Sequence, residues 1–138
     1  MYLGELTRYI LWDLTKKRLL FHGSEKAVSL LRTPAVFQTA HISAIEADSE
    51  GDRLGACWTV LQELGLTQLA SELDTALVKY VSECVAIRAS VLAAAGVSAL
   101  LNKMSRRSVT VGMDGSLYKF HPHFQVLNIK IILYIIKI

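Results

Sequence analysis

Residues 109–124 read VTVGMDGSLYKFHPHF, and this stretch does more than any other to define the fold. Before the turn, valine and threonine alternate with other residues, a period of two that is typical of a β-strand. Asp114 and Gly115 then form a dipeptide that favours a tight turn. The stretch therefore predicts a strand over residues 108–113, a turn, and a second extended segment that carries Leu117, Tyr118 and Phe120.

The beginning of the chain has helical periodicity instead. Apolar side chains recur every three or four residues over residues 2–17, which predicts an amphipathic helix. The basic residues 16–18 would end it, because cations are favourable at the negative end of the helix dipole. The predicted apolar face consists of Leu3, Leu6, Ile10, Leu11 and Leu14.

Three further helices are predicted downstream, over residues 41–47, 53–64 and 71–104. A short extended segment over residues 36–39 precedes the first of them, and a polar loop over residues 48–52 follows it. Proline disfavours helix in the residue before it, and glycine commonly ends a helix. Pro34 therefore precedes the extended segment, and Gly65 ends the helix predicted over residues 53–64.

The long predicted helix has almost no side-chain bulk over residues 93–96, which read AAAG. Such a cluster allows either a hinge or close packing between helices, and we favour packing. Residues 85–101 are apolar but include Arg88, so we expect a buried helix and no membrane span. The tail, residues 125–138, is dominated by isoleucine, leucine and valine and predicts an edge strand that is prone to aggregate.

Composition sets limits on the class of protein. The 138 residues suit one domain, and 52% of them are hydrophobic, which is high for a soluble protein. Such a chain is expected to lie against partner segments or a membrane. With 15 basic and 12 acidic residues the net charge is +3. The sequence has no basic stripe with interleaved aromatics, so nucleic-acid binding is not indicated. Cys57 and Cys84 have no metal-ligand spacing and predict buried thiols in the reducing cytoplasm, and no signal peptide is evident.

Six blocks of the chain resemble, in the same order, blocks of the hexokinase family. They cover residues 1 to about 124, and the last is the most specific. The blocks read MYLGELTR (1–8), LLFHG (19–23), RT followed by FQT (32–39), IEAD (45–48), RAS followed by AAAG (88–96) and VTVGMDGSLYKFHPHF (109–124).

The resemblance implies an α/β fold: an incomplete large lobe of an actin-like (ribonuclease H-like) ATPase, rich in helix. It implies a partial large domain over residues 1–124, followed by the divergent tail 125–138. The implied reaction is ATP-dependent phosphorylation of glucose or another hexose to hexose 6-phosphate, with Mg²⁺ as cofactor. The implied location is cytoplasmic, with the mitochondrial outer surface as an alternative for the parent enzyme.

The resemblance also implies roles for individual residues. Glu5 matches the glutamate that hydrogen-bonds glucose hydroxyls, although without the family a solvated or capping glutamate is the simpler interpretation. The positions implied to bind nucleotide are Ile10 and Leu11, the loop residues Ser49, Glu50, Gly51, Asp52 and Arg53, and the turn residues Gly115, Ser116, Leu117, Tyr118 and Lys119. Each group also has a purely structural interpretation. Ile10 and Leu11 could be core residues, residues 49–53 a solvated loop, and residues 115–119 part of a hairpin turn.

Some family features are replaced or not found. Ala35 stands where the family has glycine, and Gln38 where it has glutamate. No catalytic residue is assigned, because the family's aspartate base is expected upstream of Met1. The glycine-rich segment that normally follows the last block in the family is not found after Phe124. We therefore expect a fragment that is inactive alone. The alternative is a non-catalytic protein that binds a partner lobe, a full-length hexokinase or a membrane surface.

Overall fold

The computed structural model describes residues 2–47, 54–104, 106 and 108–136, and within these residues it contains helices and no strand. Two compact units are present, Met1–Val85 and Ala86–Ile138. The α-helices are α1 (Tyr2–Lys16), α2 (Glu25–Arg32), α3 (Thr39–Glu46), α4 (Gly55–Glu63), α5 (Glu72–Met104), α6 (Ser116–Phe120) and α7 (Phe124–Ile136), and 3₁₀ turns span Phe21–Gly23 and Thr67–Leu69.

The four predicted helices are confirmed, as α1, α3, α4 and α5. Pro34 follows the end of α2, and Gly65 follows α4 with a φ of 68°, as a helix-ending glycine should. The predicted extended segment over residues 36–39 is wrong, since α3 already begins at Thr39 and Gln38 is the extended residue before it. The polar loop 48–52 and Arg53 lie outside the described residues.

The core of the first unit lies between α1, α2, α3 and α4, where α1 packs against both α2 and α3. Burying each large apolar side chain stabilises the fold by roughly 1.5–3 kcal/mol relative to exposure. The side chains that fill this core include Leu11, Leu20, Phe21, Leu31, Phe37, Ile42, Ile45, Leu61 and Leu66.

The face that α1 buries differs from the predicted apolar face. Leu11 is buried, but Leu6 is exposed and Ile10 is only half-buried. The inward face instead consists of Gly4, Thr7, Arg8, Leu11 and Thr15. The cause is close packing: a Cβ on Gly4 would lie 2.5 Å from the Phe37 carbonyl oxygen, so only glycine allows this approach. The Gly4 amide also donates a hydrogen bond to Thr39 Oγ1 at 3.3 Å.

Asp74, near the start of α5, holds the 3₁₀ turn at Phe21. Its Oδ1 accepts a hydrogen bond from the Phe21 amide at 2.9 Å, and its Oδ2 accepts from the Ser71 amide at 2.8 Å. Phe21 and His22 have φ values of 51° and 52°, a left-handed conformation that costs about 1–2 kcal/mol per non-glycine residue. The Asp74 carboxylate therefore stabilises a turn in which the backbone of Phe21 and His22 is strained.

The second unit corrects the strand predictions. Residues 108–114 form no regular element, and Leu117, Tyr118 and Phe120 lie on α6 rather than on a return strand. The tail forms α7 instead of an edge strand. A strand requires a neighbouring strand for its hydrogen bonds, and the described part of this unit offers none, whereas a helix satisfies its backbone internally. Asn128 of α7 is buried and donates to the Ser90 carbonyl oxygen at 3.0 Å.

Residues 85–101 lie on α5, as predicted, but the prediction that this stretch is buried is wrong. In its most apolar 18-residue window only 28% is buried, and the helix is long and apolar enough to cross a membrane by length and composition alone. Ala94 is buried, but Gly96 has open space where a Cβ would stand, so the small cluster is not uniformly packed. Cys84 is exposed rather than buried, whereas Cys57 is buried as predicted.

Substituting Gly4 tests the close approach of α1. We expect Gly4→Ala to lower the free energy of unfolding by about 2–3 kcal/mol, because the new Cβ would collide with backbone atoms of Phe37, Gln38 and Thr39. The matched control is Gly96→Ala on α5. This substitution should raise the free energy of unfolding by up to about 1 kcal/mol, because alanine has a higher helix propensity than glycine. Urea unfolding followed by circular dichroism measures both, and an unchanged Gly4→Ala midpoint would contradict the packing.

The Asp74 carboxylate should make stability depend on acid pH. Burial opposes its ionisation, but hydrogen bonds from Ser71 and the Phe21 amide outweigh burial and lower its pKa. Its contribution is therefore present above its unfolded pKa and is lost as pH falls through the folded one. We expect Asp74→Asn to cost about 2 kcal/mol at pH 7 and to flatten the loss of stability below about pH 4. Asp114→Asn, which removes an exposed ion pair with Lys119, should cost much less.

Candidate functional site

Glu5 lies in the first turn of α1 beside a cavity of about 310 Å³. Its side chain is 30% exposed, so part of the carboxylate remains open to solvent. The loop between α2 and α3 and the start of α3 provide the other walls, which consist of Ala35, Phe37, Gln38, Thr39 and Ala40. Gly4 brings this loop against α1, as described above, and so determines where the cavity lies.

Arg8 holds the Glu5 carboxylate from one side. The Arg8 side chain is only 2% exposed. Its Nη2 donates to Glu5 Oε2 at 2.7 Å, and its Nε lies 3.0 Å from Oε1 and 3.1 Å from Oε2. Its Nη1 donates to the Leu31 carbonyl oxygen at 2.6 Å. A buried cation requires such partners, so Arg8 joins α1 to the last turn of α2 through the same guanidinium that binds Glu5.

Ala35 holds the carboxylate from the other side. Its amide donates to Glu5 Oε1 at 2.6 Å. The residue has a φ of 61°, a conformation that a Cβ disfavours and that glycine adopts freely. The backbone at Ala35 therefore carries strain while it presents its N–H to the carboxylate.

These contacts keep Glu5 ionised. The Arg8 hydrogen bond, together with the Ala35 amide, lowers the pKa of Glu5, and partial burial opposes this shift without reversing it. At neutral pH Glu5 is therefore a carboxylate that only accepts hydrogen bonds. An ionised carboxylate at the edge of a cavity is suited to bind a ligand rich in hydroxyl groups.

His41 fixes the start of α3 at the cavity. Its Nδ1 accepts a hydrogen bond from the Gln38 amide at 3.0 Å, which caps the helix, and its Nε2 lies 3.8 Å from Glu63 Oε2 on α4. Burial lowers the pKa of His41 and Glu63 opposes this, so the imidazole is neutral at pH 7 and Nδ1 can accept. The Phe37 ring packs edge-on against the same imidazole, with ring centroids 5.2 Å apart.

The other site residues predicted on α1 do not line the cavity beside Glu5. Ile10 is five residues away on α1, which places it roughly 140° around the helix from Glu5. Leu11 is 1% exposed and belongs to the core. Their predicted contact with nucleotide stays a prediction, and for Leu11 burial favours the core interpretation. Ser49, Glu50, Gly51, Asp52 and Arg53 lie outside the described residues.

The remaining predicted residues lie together in the second unit. Gly115 precedes α6 with a φ of 135° and has open space where a Cβ would stand, so a ligand could approach its backbone closely. Ser116, Leu117, Tyr118 and Lys119 form the first turn of α6, and Lys119 Nζ lies 2.6 Å from Asp114 Oδ1. The structure thus places Gly115 directly before a helical turn that contains the other four residues, and not in a hairpin.

The described residues offer no cluster of potential metal ligands. Within residues 2–47, 54–104 and 108–136, no three or more His, Cys, Asp or Glu side chains are grouped as metal ligands. The histidine pair at 121 and 123 has a structural role at its first member, because His121 Nδ1 accepts from the Phe124 amide at 3.2 Å and caps α7.

Sequence reasoning did not assign a role to Arg8 or Ala35. The spacing of Glu5 and Arg8, three residues apart on a predicted helix, is a signal for an ion pair that could have been used. No sequence signal predicts that the Ala35 amide binds Glu5, although the substitution of a family glycine by alanine marked this position as unusual.

Comparison with known proteins gives consistent results. A family profile described as hexokinase matches residues 1–137. Hexokinase-1 of Homo sapiens is 43% identical and Hexokinase-2 of Equus caballus 42% identical, each over 130 residues that cover 90% of this chain. The chain spans 14% of the length of these relatives. A solved hexokinase from Schistosoma mansoni, complexed with glucose, is 34% identical with a TM-score of 0.88 and covers 98% of this chain, which corresponds to 30% of that one.

Replacing Ala35 by glycine tests the strained amide. We expect Ala35→Gly to raise the free energy of unfolding by about 0.5–1 kcal/mol, because relief of the left-handed strain exceeds the added entropy of the unfolded chain. Gly23→Ala is the converse control: Gly23 has a φ of 68° and its Cβ would lie 2.6 Å from Arg18 Cγ, so this variant should be less stable. Thermal and urea unfolding measure both, and a destabilised Ala35→Gly would contradict the strain.

Proposed function

The chain belongs to the hexokinase family, and on that premise we propose that it contributes hexose- and nucleotide-binding residues to the transfer of the ATP γ-phosphoryl group to glucose or another hexose. The observation that carries the proposal is the ionised Glu5 carboxylate beside the cavity. Phosphoryl transfer depends on positioning and on electrostatic stabilisation more than on covalent chemistry by the protein. A carboxylate that fixes the hexose serves the first requirement.

In this proposal Glu5 accepts a hydrogen bond from a sugar hydroxyl. Hydrogen bonds to a charged group contribute about 1.5–3 kcal/mol, roughly twice those between neutral groups. The similar Schistosoma mansoni hexokinase is complexed with glucose, which supports a hexose as the ligand. A hexose has a hydroxyl on most of its carbons, so its orientation depends on which hydroxyl the carboxylate selects.

The proposed nucleotide contacts come from several segments. Gly115 would let the adenosine part of ATP approach the backbone, with Ser116, Leu117, Tyr118 and Lys119 beside it; the open space at Gly115 supports this. Ile10, Leu11 and residues 49–53 complete the proposed set. When bound, ATP with Mg²⁺ would supply the phosphoryl group. Because the described residues offer no group of metal ligands, we assign a Mg²⁺ contact to none of them.

We assign the catalytic base to no residue of this chain, so the proposal is binding without turnover by the chain alone. The resemblance places the family's aspartate base in a segment outside the sequence given, and the chain spans 14% of the length of human hexokinase-1. A cytoplasmic location belongs to the same proposal, supported by Cys57 and Cys84, which form no disulfide in the described structure.

A second candidate function is a non-catalytic interaction protein. It is favoured by large apolar side chains that are exposed on α5 and, separately, on α7. Such surfaces commonly mark partner or membrane contacts. They include Leu73, Tyr80, Ile87, Leu92 and Leu100 on α5, and Val126, Ile129, Leu133 and Tyr134 on α7.

Glucose binding by calorimetry tests the proposed function. We expect the chain to bind glucose and Glu5→Gln to weaken binding by roughly 10- to 100-fold, because the substitution replaces a charge-assisted hydrogen bond by a neutral one. Glu25→Gln, which removes an exposed carboxylate from the first turn of α2, is the matched control and should bind as the unaltered chain does.

Equal affinity of Glu5→Gln and the unaltered chain would contradict the role of Glu5. Sedimentation with phospholipid vesicles or with a purified hexokinase, combined with no measurable affinity for glucose or ATP, would instead support the non-catalytic interaction protein.

A further inference from the structure

The hydrogen-bonding capacity of the Glu5 carboxylate is nearly filled by the protein. An ionised carboxylate has about four acceptor sites. Three N–H groups donate to it: Arg8 Nε, which is shared between both oxygens, Arg8 Nη2 to Oε2, and the Ala35 amide to Oε1. The shared Nε–H is counted once, with Oε1, its shorter contact at 3.0 Å against 3.1 Å to Oε2. On that count both sites on Oε1 are occupied and about one site remains, on Oε2.

The guanidinium that fills these sites cannot easily reorient. Arg8 is 2% exposed, and its Nη1 is held by the Leu31 carbonyl oxygen at 2.6 Å, near the end of α2. On its outer side the guanidinium carbon lies 4.3 Å from the centre of the Tyr9 ring, a cation–π contact. The planar fork of arginine matches a carboxylate in two positions, whereas a lysine ammonium would not.

An ordinary helical ion pair would not have these properties. Pairs three residues apart on exposed helices contribute about 0.2–0.5 kcal/mol and leave both side chains free to rotate. Here the pair includes a buried cation, a backbone carbonyl from a second helix and an amide from the following loop. The arrangement fixes the direction of the remaining acceptor site relative to the cavity walls.

We propose that Arg8 is a positioning residue which, together with the Ala35 amide, holds the Glu5 carboxylate in one orientation and leaves a single acceptor site on Oε2, so that Glu5 recognises one hydroxyl of the hexose. The inference rests on the proposed function for its ligand, but the clamp itself is a property of the free chain. Arg8 acts through Glu5 and makes no contact with the hexose in this proposal.

The first experiment measures the clamp without ligand. The side-chain carboxyl carbon of Glu5 is titrated by NMR in the unaltered chain, in Arg8→Lys and in Ala35→Gly. We expect a pKa below the ordinary glutamate value of about 4.3 in the unaltered chain and in Ala35→Gly, which keeps the amide. Arg8→Lys should move the pKa upward, because the fork is lost while the charge remains. An ordinary pKa in the unaltered chain would overturn the clamp, even where Arg8→Lys does not fold.

The second experiment measures recognition with glucose and its monodeoxy analogues. We expect removal of one hydroxyl to weaken binding by about tenfold in the unaltered chain and to have no further effect in Glu5→Gln. Arg8→Lys should weaken glucose binding by about five- to tenfold, and Ala35→Gly should not. Two different hydroxyls that both couple to Glu5 would overturn the single acceptor site.

The outcomes separate the two proposals. If glucose does not bind while the Glu5 pKa is lowered and responds to Arg8→Lys, the proposed function fails and the clamp stands. If Glu5→Gln weakens binding while Arg8→Lys changes neither the pKa nor the affinity, the proposed function stands and Arg8 is not a positioning residue.

Discussion

The buried guanidinium of Arg8 is the interaction on which the arrangement around Glu5 depends. A cation without water must be fully paired, and here its partners come from α1 itself and from the last turn of α2. One turn earlier, Gly4 lets the loop before α3 lie against the helix backbone. Gly4 and Arg8 thus act together on one face of α1. Gly4 allows the loop to pack against the helix, and Arg8 connects α2 to the Glu5 carboxylate.

Because small and polar residues occupy the inward face of α1, apolar side chains are exposed on its outward face. Since α1 turns Gly4, Thr7 and Arg8 inward together with Leu11, its other leucine residues, Leu3, Leu6 and Leu14, remain half-buried or exposed. In the second unit α5 shows the same inversion, with Ser90, Ala94 and Ser98 buried and larger apolar side chains exposed. Small inward residues allow helices to approach closely. The apolar surface left on the outside favours an interaction role as the second candidate function.

The sequence predicts where helices occur better than which way they face. Periodicity near 3.6 residues located α1, and Pro34 and Gly65 separated the helices predicted after it, because both signals reflect local geometry alone. The strand predicted over residues 108–113 is not formed, because alternation alone does not make a strand: its backbone groups also need a neighbouring strand to hydrogen-bond with. Within the site, Glu5 followed from family resemblance, whereas the contacts of Arg8 with Leu31 and of Ala35 with Glu5 join residues 23 and 30 positions apart, which no local pattern encodes.

The link between Asp74 and Phe21 bears on how the chain folds as it is synthesised. The two residues are 53 positions apart, so the left-handed turn has emerged long before the carboxylate that stabilises it exists. At roughly 5–20 residues per second, translation separates the two by about 3–10 s, far longer than a helix needs to form. During that interval the turn between α1 and α2 lacks its anchor, and α2, with eight residues, is too short to be a stable helix alone. The order of synthesis therefore delays completion of this turn until α5 begins to leave the ribosome.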